Sequence, residues 1–115
     1  MNKKDVKILG RVLEEIDFLE EVMQGFTFEM FGTNEEKKRV VIFTLINIAE
    51  LVRILSEEFK TANKNIPFEK ISKTRNISVH HYDMIDFETV WNTIKISIPD
   101  LKSKIEKLLE KPNLF

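Results

Sequence analysis

The chain has 115 residues, 43% of them hydrophobic and nine of them phenylalanine, which suffices for the core of one domain over 1–115 and not for two. Eighteen basic against 19 acidic side chains leave a net charge of −1, so total charge does not advertise a nucleic-acid or membrane partner. The absence of cysteine excludes disulfides, thiolate metal sites and cysteine nucleophiles. The N-terminal stretch turns acidic before any signal-like apolar segment develops, and the densest apolar run, residues 40–43, is far too short to span a bilayer. A cytoplasmic chain with no membrane attachment is expected.

Only three glycines and three prolines punctuate the sequence, which disfavours a many-turned β fold. Over residues 3–23, Leu9, Val12, Leu13, Ile16, Leu19 and Met23 recur at three- and four-residue steps, one stripe of a helix, with acids on its other sides. Gly25 stands just past the stripe, where a helix end favours a residue tolerant of left-handed geometry. Phe26, Phe28, Met30 and Phe31, cut off by Gly32, predict a helical turn or two that lids the core. Asn34 then caps a second long helix, with Glu35 and Glu36 in its first turn and a seam running through Val41, Leu45, Ile48, Val52, Leu55 and Phe59. Val40, Ile42, Phe43, Ile46, Leu51 and Ile54 widen that surface, so this helix is either central in the bundle or faces a second subunit.

Residues 60–65 are expected to be a polar linker. Pro67 suits the first turn of a third helix, with Phe68, Ile71, Ser78 or Val79, and Tyr82 inward, broken at 83–85. Asp86 caps a fourth helix through Val90, Trp91, Ile94, Leu101, Ile105, Leu108 and Leu109, which Pro99 should kink by removing the bond to the carbonyl of Lys95. The fold expected is an all-α, up-down bundle of four main helices plus a short one, paired as a symmetric homodimer.

The two histidines and the one tyrosine are consecutive: His80, His81, Tyr82. With Arg75 and Asn76 they read RNISVHHY, residues 75–82. Histidine moves protons near neutral pH and arginine grips two phosphate oxygens at once, a set suited to phosphodiester chemistry without a metal. The other reading of the same residue types is structural, a cluster near a helix end that caps carbonyls and packs. At about 100° per residue Arg75 and Tyr82 share a helix face, whereas Arg75 and His80 lie about 140° apart. Either the helix bends before His80 or each residue works with its copy from another protomer, which would also supply a second histidine as proton partner. Charge is uneven: residues 1–36 carry four basic and nine acidic side chains, and residues 60–82 carry five basic and one acidic. Lys70, Lys73 and Arg75 thus form a locally basic stretch able to draw a polyanion, or simply a solvated lysine face. Adjacent histidines lack the spacing of two metal ligands on one helix face, so no metal is expected.

RNISVHHY resembles the signature Arg, four residues, His, one residue, Tyr of the HepT-like toxins in the HEPN superfamily of small dimeric helical proteins. The resemblance extends to the segments IPFEKI, DFETVWNTIKISIPDLKSKIEKLL and INIAEL, and so covers nearly the whole chain. It implies the toxin of a type VII-like toxin–antitoxin pair: a metal-independent endoribonuclease without a cofactor, in which Arg75, His80 and Tyr82 from two protomers line a cleft at the dimer interface. Asn76 and His81 would support them, and Lys70, Lys73 and Arg75 would contact RNA. The implied partner is a small nucleotidyltransferase antitoxin of the MNT type, which in part of the family transfers AMP to the motif tyrosine, here Tyr82. His81 occupies the variable position of the signature, and Asp83-Met84 stand where an aromatic and a glycine are common. The alternative function is a non-enzymatic, substrate-binding or regulatory subunit of such a nucleotidyltransferase. A third reading is a helical dimerisation module with no site.

Overall fold

The computed structural model describes residues 1–76 and 83–110, with the backbone alone at Arg75 and Asn76. No strand occurs among the described residues, and the fold is an all-α bundle as expected. Helix α1 spans Lys3–Met23; the Asn2 side chain caps it, accepting the N–H of Asp5 at 2.7 Å. Its buried stripe holds Leu9, Val12, Ile16, Leu19 and Met23, together with Ile8 and the acid Asp5. Gly25 carries the chain out of the helix at φ 80°, a left-handed conformation that side chains with a Cβ resist. Helix α2, Phe28–Gly32, follows a Thr27 cap and presses Phe31, fully buried, against the rings of Phe87 and Trp91 at 5.9 and 5.7 Å.

Helix α3, Glu35–Arg53, starts at the Asn34 cap and runs through the middle of the bundle. Packed along it are α1 on the one hand and α5 (Phe68–Ser72) with the 3₁₀ turn Lys73–Asn76 on the other. The expected run to Phe59 is interrupted: α3 ends at Arg53, and a separate helix α4, Glu57–Ala62, begins at Ser56. Leu55 and Phe59 are nonetheless buried, because the chain turns between them without leaving the core. The linker is correspondingly shorter than residues 60–65. Asp5 explains what holds this corner. Its carboxylate is 1% exposed and accepts the Ser56 N–H at 2.9 Å and the Ser56 hydroxyl at 2.6 Å. The Ser56 oxygen in turn accepts the N–H of Phe59 at 3.1 Å, so the start of α1 pins the start of α4.

The last helical run comprises α6, Phe87–Asn92, a π turn over Thr93–Ser97, and α7, Ile98–Glu110. The disruption expected from Pro99 therefore takes the form of a widened turn ahead of it. Ile98 donates its N–H to the carbonyl of Thr93, five residues back, where regular helix would reach four. Val90, Ile94, Ile98, Leu101 and Ile105 stay in the core throughout. Helix α7 packs on α1, and Lys102 ties them at the surface through Glu20 and Asp17, at 2.6 and 3.4 Å. Among the described residues no helix is long and apolar enough to cross a membrane.

Candidate functional site

The segment that leads into RNISVHHY is short and anchored at its start. Phe68 and Ile71 are buried, and the Phe68 ring meets Phe59 edge-on at 5.7 Å, which seats α5 on the core. Regular α-helix stops at Ser72, well before the motif that the sequence places on one continuous helix. The Thr74 hydroxyl donates to the Ile71 carbonyl at 2.7 Å, a local bond that competes with regular helix, and also lies 3.5 Å from the Leu45 carbonyl of α3. Arg75 and Asn76 thus begin the motif in 3₁₀ geometry against the middle of α3. The turn takes in only the first two motif residues, and the face-sharing expected of Arg75 and Tyr82 falls outside the described residues. His80, His81 and Tyr82 lie outside the described residues, as do Ser78 and Val79.

Beside this turn is a cleft of about 580 Å³. One wall carries Lys70, Lys73 and Thr74; the opposite wall is the helical run after the motif, with Thr93, Ile96 and Ser97 of the π turn. Its floor is aliphatic: Leu45, Ile71 and Val90, all buried. The structure therefore brings together Lys70 and Lys73, the two lysines singled out by local charge, on the rim next to the first motif residue. Among the described residues neither lysine joins an ion pair. Asp100, the acid on the opposite wall, is paired with Lys104 at 2.9 Å. The rim's unbalanced charge is positive, which suits a phosphate-bearing ligand.

The chain re-enters the described structure at Asp83, and Asp86 caps α6 as expected. The Thr89 hydroxyl at 2.8 Å, with the N–H groups of Thr89 and Glu88, holds the Asp86 carboxyl below its ordinary range. The wall residues Thr74, Thr93, Ile96 and Ser97 were not among those the sequence pointed to. Thr89, Thr93 and Ser97 do recur at four-residue steps, a hydroxyl stripe that a search of the last helix would find. Nothing local announces that this stripe faces Lys70 and Lys73.

A sequence profile described as ribonuclease HepT-like matches residues 12–108, taking in the motif and both walls of the cleft. The chain belongs to the ribonuclease HepT-like family. Curated relatives agree. "Probable ribonuclease HepT" of Thermococcus cleftensis is 31% identical over 94% of this chain and 98% of its own length. A "Putative RNase" of Methanocaldococcus jannaschii is 31% identical over 96% of this chain and 92% of its own. A protein of the same printed description in Caldanaerobacter subterraneus subsp. tengcongensis is 30% identical over 90% of this chain and 92% of its own. No solved structure matches. Membership places this HepT-like chain among ribonucleases, with RNA as the substrate class.

Proposed function

We propose that this chain is the toxin of a toxin–antitoxin pair, a metal-independent endoribonuclease whose site is built from Arg75 and His80 of two protomers. The observation that carries the reading is the ribonuclease HepT-like match over 12–108, with the whole RNISVHHY motif inside it. His80 takes the proton of a ribose 2′-hydroxyl, whose oxygen attacks the adjacent phosphorus. The 5′-oxygen of the next nucleotide leaves and is protonated by His80 of the second copy, giving a cyclic 2′,3′-phosphate and a free 5′-hydroxyl. Arg75 holds the charge that accumulates on the phosphorus oxygens, an effect worth about 3 kcal/mol for one well-aimed donor. Asn76 orients the phosphate or fixes the histidine tautomer, His81 supports it, and Lys70 and Lys73 hold neighbouring phosphates.

A dimer is supported by apolar surface left open on α3. Phe43 of that helix is 65% exposed and Ile54, just past its end, 43%, and Phe18 of α1 lines the same groove as Phe43. Tyr82 contributes a hydrogen bond in the cleft and is the acceptor for an adenylyl group delivered by a nucleotidyltransferase antitoxin. The added phosphate and bulk would exclude RNA by charge and by volume.

The test is cleavage of RNA in EDTA by protein whose intact mass shows an unmodified Tyr82, beside Arg75→Ala and His80→Ala purified identically and checked for folding. Cutting by the wild type, lost in both variants and absent on an all-2′-deoxy substrate, is the expected result. No cutting by the unmodified dimer would overturn it in favour of a non-enzymatic subunit of a nucleotidyltransferase.

A further inference from the structure

The cleft beside the 3₁₀ turn offers more than lysines for a phosphate chain. Its floor is flat aliphatic surface at Leu45, Ile71 and Val90, and Ile96 stands on the opposite wall 68% exposed. An isoleucine held that far out on a π turn gives a planar ring something to lie against. Two of the hydroxyls that line the cleft have their hydrogens committed elsewhere. Thr74 donates to the Ile71 carbonyl at 2.7 Å, and Thr93 donates to the Thr89 carbonyl at 2.9 Å. What both can present to a ligand is lone pairs, so at these two positions the edge of the cleft accepts hydrogen bonds. With cations on one rim, an apolar floor and acceptors at the edge, the ligand that fits carries an anionic phosphate, a flat ring and N–H donors. A volume of about 580 Å³ accommodates one nucleotide.

We propose that this cleft is a base-reading subsite, taking the nucleobase of one nucleotide near the cleaved phosphate and favouring bases with an exocyclic amino group, adenine or cytosine, over uracil. The inference rests on the ribonuclease reading above. In it Lys70 and Lys73 hold the flanking phosphates, the ring packs between the floor and Ile96, and the amino group donates to Thr93 or Thr74. Affinity thus comes from phosphate contacts and discrimination from the acceptors, as in other nucleic-acid interfaces.

The test uses uncleavable probes, so that catalysis is not needed for a readout. Fluorescence anisotropy is measured on the intact wild-type protein with 2′-fluoro decamers of adenosine, cytidine or uridine, and with an abasic decamer. The expected result is five- to tenfold tighter binding of the adenosine and cytidine decamers than of the uridine one, the worth of about one hydrogen bond. The abasic probe should be weakest. Thr93→Val, which keeps the shape and removes the acceptor, should flatten the preference while leaving uridine binding in place. Lys70→Ala with Lys73→Ala should weaken all four probes alike and steepen none of the preferences. Equal affinity for all four wild-type probes would overturn the subsite and leave a phosphate-only contact. A preference untouched by Thr93→Val together with an Ile96→Asp variant would also overturn it, since the reading would then be done elsewhere. Because the probes are not cut, an inactive wild type that still prefers adenosine refutes the ribonuclease reading and keeps the base site. An active wild type without preference does the reverse.

Discussion

Replacing Asp5 with alanine should cost this small fold a large share of its stability. The carboxylate is 1% exposed and serves two donors of Ser56, the N–H at 2.9 Å and the hydroxyl at 2.6 Å. Hydrogen bonds to a charged acceptor contribute about 1.5–3 kcal/mol each, and a donor left buried without a partner costs a similar amount. Ser56 is only half-buried, and Asp5 and Ser56 both line an open cleft of about 620 Å³ that can admit water, so part of the loss is recovered. A net loss of about 2.5 kcal/mol is the working figure for the pair. At about 2.1 cal/mol/K of unfolding entropy per residue, 115 residues convert that to a fall in Tm of about 10 °C. The assay is thermal unfolding by circular dichroism for wild type, Asp5→Ala, Ser56→Ala and the double variant. Because both single changes break the same contact, the double should fall short of their sum by about 1 kcal/mol or more. A shift under about 2 °C for Asp5→Ala, or strict additivity, would refute the idea that α1 pins α4 through this contact.

Three further outcomes follow, two from the proposed function and one from the geometry. In dimers assembled from equal amounts of wild type and His80→Ala, a site that needs a histidine from each protomer leaves about a quarter of the wild-type cleavage, whereas protomers acting alone leave about half. Phe43→Glu should turn the proposed dimer into a folded monomer, seen as a halved mass by light scattering with an unchanged circular dichroism spectrum; a dimer that survives it places the contact off the open face of α3. Asp86 has its pKa lowered from 3.8 by the Thr89 hydroxyl and the N–H groups at the start of α6, so its charge stabilises the fold above that ordinary value. The Tm gap between wild type and Asp86→Ala should therefore be full at pH 7 and shrink as pH falls below 3.8 toward the lower folded value; a gap that grows on acidification contradicts the capping role.

Where structure is set by neighbours in the chain, the sequence announced it. The α1 stripe, the left-handed glycine after it, and the Asn34 and Asp86 caps all depend on three- or four-residue spacings, and all stand where those spacings put them. The break at Arg53 was hidden because Leu55 and Phe59 keep the rhythm of the seam across it. Ser56 followed by two glutamates is a helix-start signal, yet the apolar period on either side outweighs it when only spacing is read. Its long-range partner, Asp5, is 51 residues away, and no local pattern links the two. The candidate site divides along the same line. Local charge picked out Lys70 and Lys73, which share a cleft rim. The wall opposite them is fixed by tertiary packing, and His80 and Tyr82, proposed for proton transfer and for modification, fall outside the described residues.

The π turn has a consequence for chain length. Val90, Ile94 and Ile98, two four-residue strides in succession, stay buried across it, as do Leu101 and Ile105 beyond it. In effect one residue has been spliced into a helix and absorbed locally, without rotating the apolar face that follows. Deleting one residue between Thr93 and Ile98 would allow an ordinary helix to join the same two faces. A relative one residue shorter at this point could keep the entire core while losing the outward isoleucine and with it one wall of the cleft. Length at this single turn therefore decides whether that wall of the cleft exists, without rebuilding the bundle.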